Sequence, residues 1–166
     1  MALAAFVFAF VFGTLVEYVM HRWMHDRRVL GARHAEHHRV GTGQGVLGEF
    51  WDYTLPGVPV IAGLLLGAWW SARFRPLGLG FVAGDLAQMF FAAYAHQAQH
   101  ERPELVFWMR LPVHYVHHHH KQWHHNFGIS VDWWDRAFGT FKSVPWAPEK
   151  RGLALGARAF LRVRWW

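Results

Sequence analysis

The sequence predicts an all-α integral membrane helical bundle, with about three transmembrane helices and a histidine-rich helical cap on the cytoplasmic side. Three observations carry that reading. Of the 166 residues 53% are apolar, with 11 Trp and 14 Phe, more than a small soluble core needs. The apolar residues gather in long runs without sustained period-two alternation, which leaves strands with little support. The 14 histidines crowd the ends of those runs rather than their middles.

Taken in order, the run from Ala2 to Met20 is apolar except for Thr14 and Glu17, and it is just long enough to cross a bilayer core. No basic segment precedes it and no small-residue cleavage site follows, so it reads as a retained helix rather than a signal peptide. The glycine-rich stretch Gly41 to Gly48 lacks the Lys-Ser/Thr ending of a phosphate cradle and reads as a flexible connection. Pro56 to Trp70 and Leu77 to Ala95 read as a helical hairpin joined by Ser71 to Pro76, its first arm somewhat short for a full crossing. Pro103 to Pro112 (with Phe107 and Trp108) and Leu153 to Trp166 (with Arg158, Arg162 and Arg164) mix aromatic and basic residues, as segments lying in the membrane interface do. No internal repeat is evident, and the length suits one domain over residues 1–166.

Composition narrows the chemistry. The chain has no cysteine, which removes disulfides, iron–sulfur clusters and thiolate zinc sites, so any metal must be held by nitrogen and oxygen. The formal charge of +6 is scattered, with no nucleic-acid-binding motif, and anionic lipid headgroups are the expected partner rather than nucleic acid. Arg73 and Arg75 sit in the hairpin turn, while the other 15 of the 17 Lys and Arg lie in segments that carry or follow histidines. By the positive-inside rule the histidine end faces the cytoplasm and the N-terminus lies outside. The excess of Arg over Lys and the economy of the chain point to a bacterial inner membrane.

Ten histidines fall into four boxes: His21-x3-His25, His34-x2-His37-His38, His96-x3-His100 and His114-x2-His117-His118. Residues i and i+4 stack on one helical face, so each x3 pair points two imidazoles the same way. In the x2 triplets the last two histidines diverge by about 100° around the axis, which lets one helix serve two metals. Imidazole binds first-row metals while staying neutral, and ten nitrogens suffice for two five-coordinate ions. A lone H-x3-H pair is a weak signal; four boxes in one small chain are not. His119, His120, His124 and His125 are surplus to the ten and could back the ligands or substitute for them. Glu17 precedes His21 and His25 on one face, and Asp85 lies three turns before His96 on a similar stripe. Acids at membrane depth need a partner, and hydrogen bonds to metal-bound imidazoles would supply one. Asp85 reads equally well as an interhelical hydrogen bond. Glu36 and Glu101 read as solvated or paired with arginine.

The boxes HRWMHD, HAEHH, HQAQHE and HYVHH, followed by NFGISVDWWDRAFGT, resemble the fatty acid hydroxylase and sterol desaturase superfamily over roughly residues 14–142. Asn126-Phe127-Gly128 and Trp134-Asp135-x2-Phe138-Gly139-Thr140 are similar to that family's closing signature, with Asn126 and Asp135 as further residues around the site. The resemblance implies that His21, His25, His34, His37, His38, His96, His100, His114, His117 and His118 hold two metal ions, iron by expectation. It further implies O2 as co-substrate, hydroxylation or desaturation of a C–H bond in a long apolar lipid entering from the bilayer, and helices capping the membrane. Larger members differ in carrying more helices before the first box, and some carry a fused cytochrome. Electrons would then come from a separate ferredoxin or cytochrome carrier. The small size is also similar to bacterial carotenoid hydroxylases. An all-histidine shell binds zinc as well, so a non-redox membrane zinc protein or hydrolase is the alternative from another class, although ten histidines exceed the three ligands a hydrolytic zinc uses. Metal transport would call for histidines within the spans, which hold only Glu17, Asp85, Gln88 and weaker polar groups.

Overall fold

The computed structural model describes residues 1–146 and 152–166. It is helical, with no strand among the described residues: α1 (Ala2–His25), α2 (Gly31–Val40), α3 (Val46–Thr54), α4 (Val58–Trp70), α5 (Arg75–Glu101), α6 (Val113–His119) and α7 (Trp133–Ala137), with short 3-10 turns between and after them. Three helical stretches are long and apolar enough to cross a membrane: Ala2–His25, Val46–Trp70 and Arg75–Glu101.

The second of these corrects the short hairpin arm read from the sequence. The helical path begins ten residues earlier, at Val46 rather than Pro56, and only Gly41 to Gly45 remain as a loop, so Gly48 lies inside α3. Pro56 does not start the span. It sits in the 3-10 turn Leu55–Gly57 that joins α3 to α4, where a residue without an N–H interrupts the α pattern without ending the helical path. The C-terminal segment supplies what the start of α3 lacks: Val46 N and Leu47 N donate to the carbonyls of Arg164 and Trp165, both at 3.0 Å.

Helices α1 and α5 run parallel and touch along their length. A Cβ on Gly80 would stand 2.3 Å from the Ala2 carbonyl oxygen, and one on Gly84 2.2 Å from that of Phe6, so both positions need glycine for the backbones to approach. Further along, Glu17 meets Gln88 at 3.0 Å. Because the α3–α4 arm returns the chain between them, His21 and His25 end α1 at the same level at which His96 and His100 end α5. The turn with Arg73 and Arg75 lies at the other end, about 40 Å away along the 27-residue α5.

The outer faces are apolar. Leu3, Val7, Phe8, Val11 and Phe12 of α1 and Val60, Leu66, Trp69 and Trp70 of α4 are all exposed, as suits helices solvated by lipid tails. The buried apolar cluster lies instead at the histidine end, where Val46, Ala93, Ala95 and Ala98 pack with Leu105, Val106, Met109, Leu111, Val113 and Val116. The two segments read as interfacial form no spans, and they contribute to that cluster through Leu105 to Leu111 and through Ala159 and Val163.

Candidate metal centre

All ten box histidines converge at the ends of α1, α2, α5 and α6, in two groups. The first comprises His21, His25, His34, His38 and His117, and the second His37, His100, His114 and His118. His96 borders the second group, its Nε2 3.3 Å from that of His37 and its ring centroid 4.5 Å from that of His114. The triplets divide as helical geometry requires. The i, i+4 pair His34 and His38 joins the first group while His37 turns to the second; His114 and His118 join the second while His117 turns to the first. Each triplet helix therefore crosses from one group to the other, and the stacked rings of His38 and His118, 3.9 Å apart, mark the seam.

Several rings are held by their outer nitrogen. His21 Nδ1 donates to the Phe127 carbonyl at 2.6 Å, His117 Nδ1 to that of His125 at 2.7 Å, and His100 Nδ1 to that of Gly41 at 3.1 Å. A carbonyl only accepts, so Nδ1 carries the proton and the Nε2 lone pair points inward. The Nε2 of His25 lies 2.8 Å from those of His34 and His117 and 3.2 Å from that of His38. Converging lone pairs repel unless a cation sits among them. Neighbouring ligands on an ion with bonds of about 2.1 Å stand about 3 Å apart, which is this spacing. The buried Nε2 atoms of His21 and His118 find no hydrogen-bond partner among the described residues. The donor set thus fits metal ions in both groups.

Burial keeps the cap histidines neutral. It lowers His34 to about 2, His38 to about 3 and His37 to about 4, and the neighbouring imidazoles push the same way. His117 falls to about 4 by burial, opposed by its carbonyl bonds, and burial sends His114 and His118 well below the ordinary histidine range. Uncharged imidazoles are the protonation state a metal needs.

The remaining sequence candidates fall in varied places. Glu17 does not bond the histidines that follow it on its face. Its Oε1 accepts from Ile129 N at 2.8 Å and Ser130 N at 2.7 Å, and its Oε2 from Ser130 Oγ at 2.6 Å. Asp135 Oδ1 accepts from Phe127 N and its Oδ2 from Gly128 N, both at 2.7 Å. Two carboxylates thereby satisfy four consecutive amides of a buried loop that has no secondary structure. The loop's Phe127 carbonyl is the group that orients His21, so both acids position the site from one remove. Gly128 is required there, because a Cβ would stand 2.1 Å from the Val131 carbonyl oxygen. Thr140 Oγ1 donates to Asp135 at 2.7 Å and receives the Tyr18 hydroxyl at 2.8 Å, which fastens the tail to α1. Burial raises the Asp135 pKa, against those donors.

Asn126 pairs with the Lys142 backbone, donating to its carbonyl at 2.8 Å and accepting its N–H at 3.0 Å. His125 contributes its carbonyl rather than its ring, while His120 and His124 are exposed. Asp85 corrects the expectation of contact with His96: eleven residues separate them, about 16 Å of helix rise, too far to touch. Glu36 pairs with Arg39 at the surface, and Glu101 accepts from Gln97 Nε2 at 2.7 Å.

Three residues escaped the sequence reading. Glu49 is 4% exposed and its Oε1 lies 3.1 Å from His96 Nδ1, a carboxylate behind an imidazole. Its signal was an acid in a segment that continues into a span. Gln99, fully buried, accepts from His114 N at 2.9 Å and donates to the Ile129 carbonyl at 2.6 Å, joining box four to the loop. Trp123 sets its ring 4.3 Å from that of His25.

A chain whose three long apolar helices bring four histidine boxes to one end, closed by this tail, has the build of a membrane protein that could hold metal ions there. Residues 6–140 match the fatty acid hydroxylase family, and the chain belongs to it. Neither the curated proteins nor the solved structures yield a significant match to the chain.

Proposed function

We propose that the protein is a membrane-bound di-iron enzyme that uses O2 to hydroxylate or desaturate a C–H bond of a long apolar lipid, a fatty acyl chain before others. The observation that supports this reading best is the pair of histidine groups, five imidazoles in one and four with His96 beside them in the other, at the membrane end of three spans in a chain of this family. Two irons, when bound, would supply the O2 chemistry that no organic side chain can perform. The chain's own residues set the conditions for it. The carbonyls of Phe127, His125 and Gly41 fix ring orientation, Glu49 stands behind His96, and burial of His21, His34, His114 and His117 keeps water from the ligand atoms. A hydrophobic substrate would reach the site from the bilayer, since α1 and α5 carry their histidines at the ends of lipid-facing helices. In this reading the whole chain is one catalytic domain in a bacterial inner membrane, with its histidine end in the cytoplasm and a separate protein as electron source.

Anaerobic loading with ferrous iron, with irons counted per chain and Mössbauer spectra taken before and after O2, tests the reading. Two irons that oxidise together, and a hydroxylated or newly unsaturated lipid in extracts analysed by mass spectrometry, are the expected result. Tight zinc binding with no oxygen-reactive iron would overturn it in favour of a non-redox zinc protein.

A further inference from the structure

The turn that follows α6 reaches the first histidine group through Trp123. His119, His120, Lys121 and His124 are exposed, and Trp123 is 36% exposed. The inner side of the Trp123 indole meets two rings of that group, His25 edge-on at 4.3 Å and His38 at 5.1 Å. One aromatic side chain thus spans from solvent to the imidazoles. Backbone bonds hold the turn to the histidine helix, Gln122 N donating to the His117 carbonyl at 2.9 Å and Lys121 N to that of His118 at 3.2 Å. The charge is of one sign. No Asp or Glu occurs between Glu104 and Asp132, and the formal charge on the turn itself is that of Lys121. On the neighbouring α2, the exposed Glu36 is neutralised by Arg39.

We propose that the turn 119–125 is the docking surface for an acidic one-electron carrier protein, with Trp123 as the contact through which electrons reach the first metal group. This rests on the di-iron reading above. Each encounter oxidises the carrier by one electron and reduces the metal pair by one. Two encounters, with two protons from water, supply what a turnover needs to release the second atom of O2 as water. The indole undergoes no net change; it shortens the gap between carrier and imidazole. Charge complementarity selects the acidic partner and makes association salt-dependent.

The test uses the full chain in lipid nanodiscs and an acidic plant-type [2Fe–2S] ferredoxin as probe. Binding to the metal-free protein should weaken with salt, and Lys121→Glu should weaken it at least tenfold. In anaerobic stopped-flow with the iron-loaded protein, Trp123→Leu should slow reduction by ferredoxin at least tenfold, with Trp123→Phe between it and the native chain. Reduction by dithionite, taken per bound iron, should change less than twofold in both. Salt-insensitive or absent ferredoxin binding, or equal ferredoxin-driven rates in all variants, overturns the proposal. So does a spin label on Lys121→Cys, a unique cysteine in this chain, that reports lipid instead of water. Failure of the di-iron reading is seen separately, as loss of oxygen-reactive iron while binding to the metal-free protein remains measurable.

Discussion

The two histidine groups draw on the same four boxes but are fastened differently. The first hangs on neutral carbonyls of the tail, Phe127 behind His21 and His125 behind His117. The second is backed by a buried carboxylate, Glu49 beside His96, and by the Gly41 carbonyl behind His100. A carboxylate makes an imidazole a stronger donor than a carbonyl does, so near-symmetric ligand sets are electronically unequal. The first group depends on the tail loop; the second depends on the start of α3.

The largest test of that difference removes a ligand. His37→Ala or His118→Ala should cost the second ion and all lipid-modifying activity while membrane insertion persists, with metal per chain read by mass spectrometry; full activity in either variant would defeat the ten-ligand assignment. Removing the tail's fastener comes next. Asp135→Ala leaves two buried amides and a hydroxyl without their acceptor, a loss of about 3 to 5 kcal/mol that thermal unfolding in detergent will register, and it should loosen the first ion before the second. Smaller is Glu49→Gln, which keeps the shape but removes the charge. Affinity for the second ion should fall about 10- to 100-fold with the first unchanged, and equal weakening of both would erase the distinction drawn here. The smallest effect is graded with pH. His37 and His117 titrate at about 4 in the folded protein against 6.5 ordinarily, so the unfolded chain takes up protons first. The metal-free protein should therefore lose stability as pH falls from about 6.5 to about 4, and bound metal should oppose the loss.

Much of the site was legible because its signals are local. Box spacing on a helix decides which imidazoles share a face, and the split of His37 from His34 and His38, and of His117 from His114 and His118, follows from 3.6 residues per turn. What escaped is long-range. Glu17 precedes His21 by one turn, but its partners Ile129 and Ser130 lie more than a hundred residues away, and nothing local announces that they win over the imidazoles. Glu49 was hidden by Pro56, which marks a helix start in sequence but only a 3-10 junction in the fold. Asp85 misled because a shared stripe says nothing of the distance along it.

By itself the sequence determined the helical class, three apolar spans and ten histidines in four boxes, since periodicity and ligand spacing are properties of adjacent residues. Only the tertiary structure decided which boxes meet in which group, that Glu17 and Asp135 serve a loop rather than the rings, and that Glu49 and Trp123 flank the centre. Those contacts join residues whose separation along the chain carries no signal, and they form only when α1 and α5 pack in parallel and the tail closes over their ends.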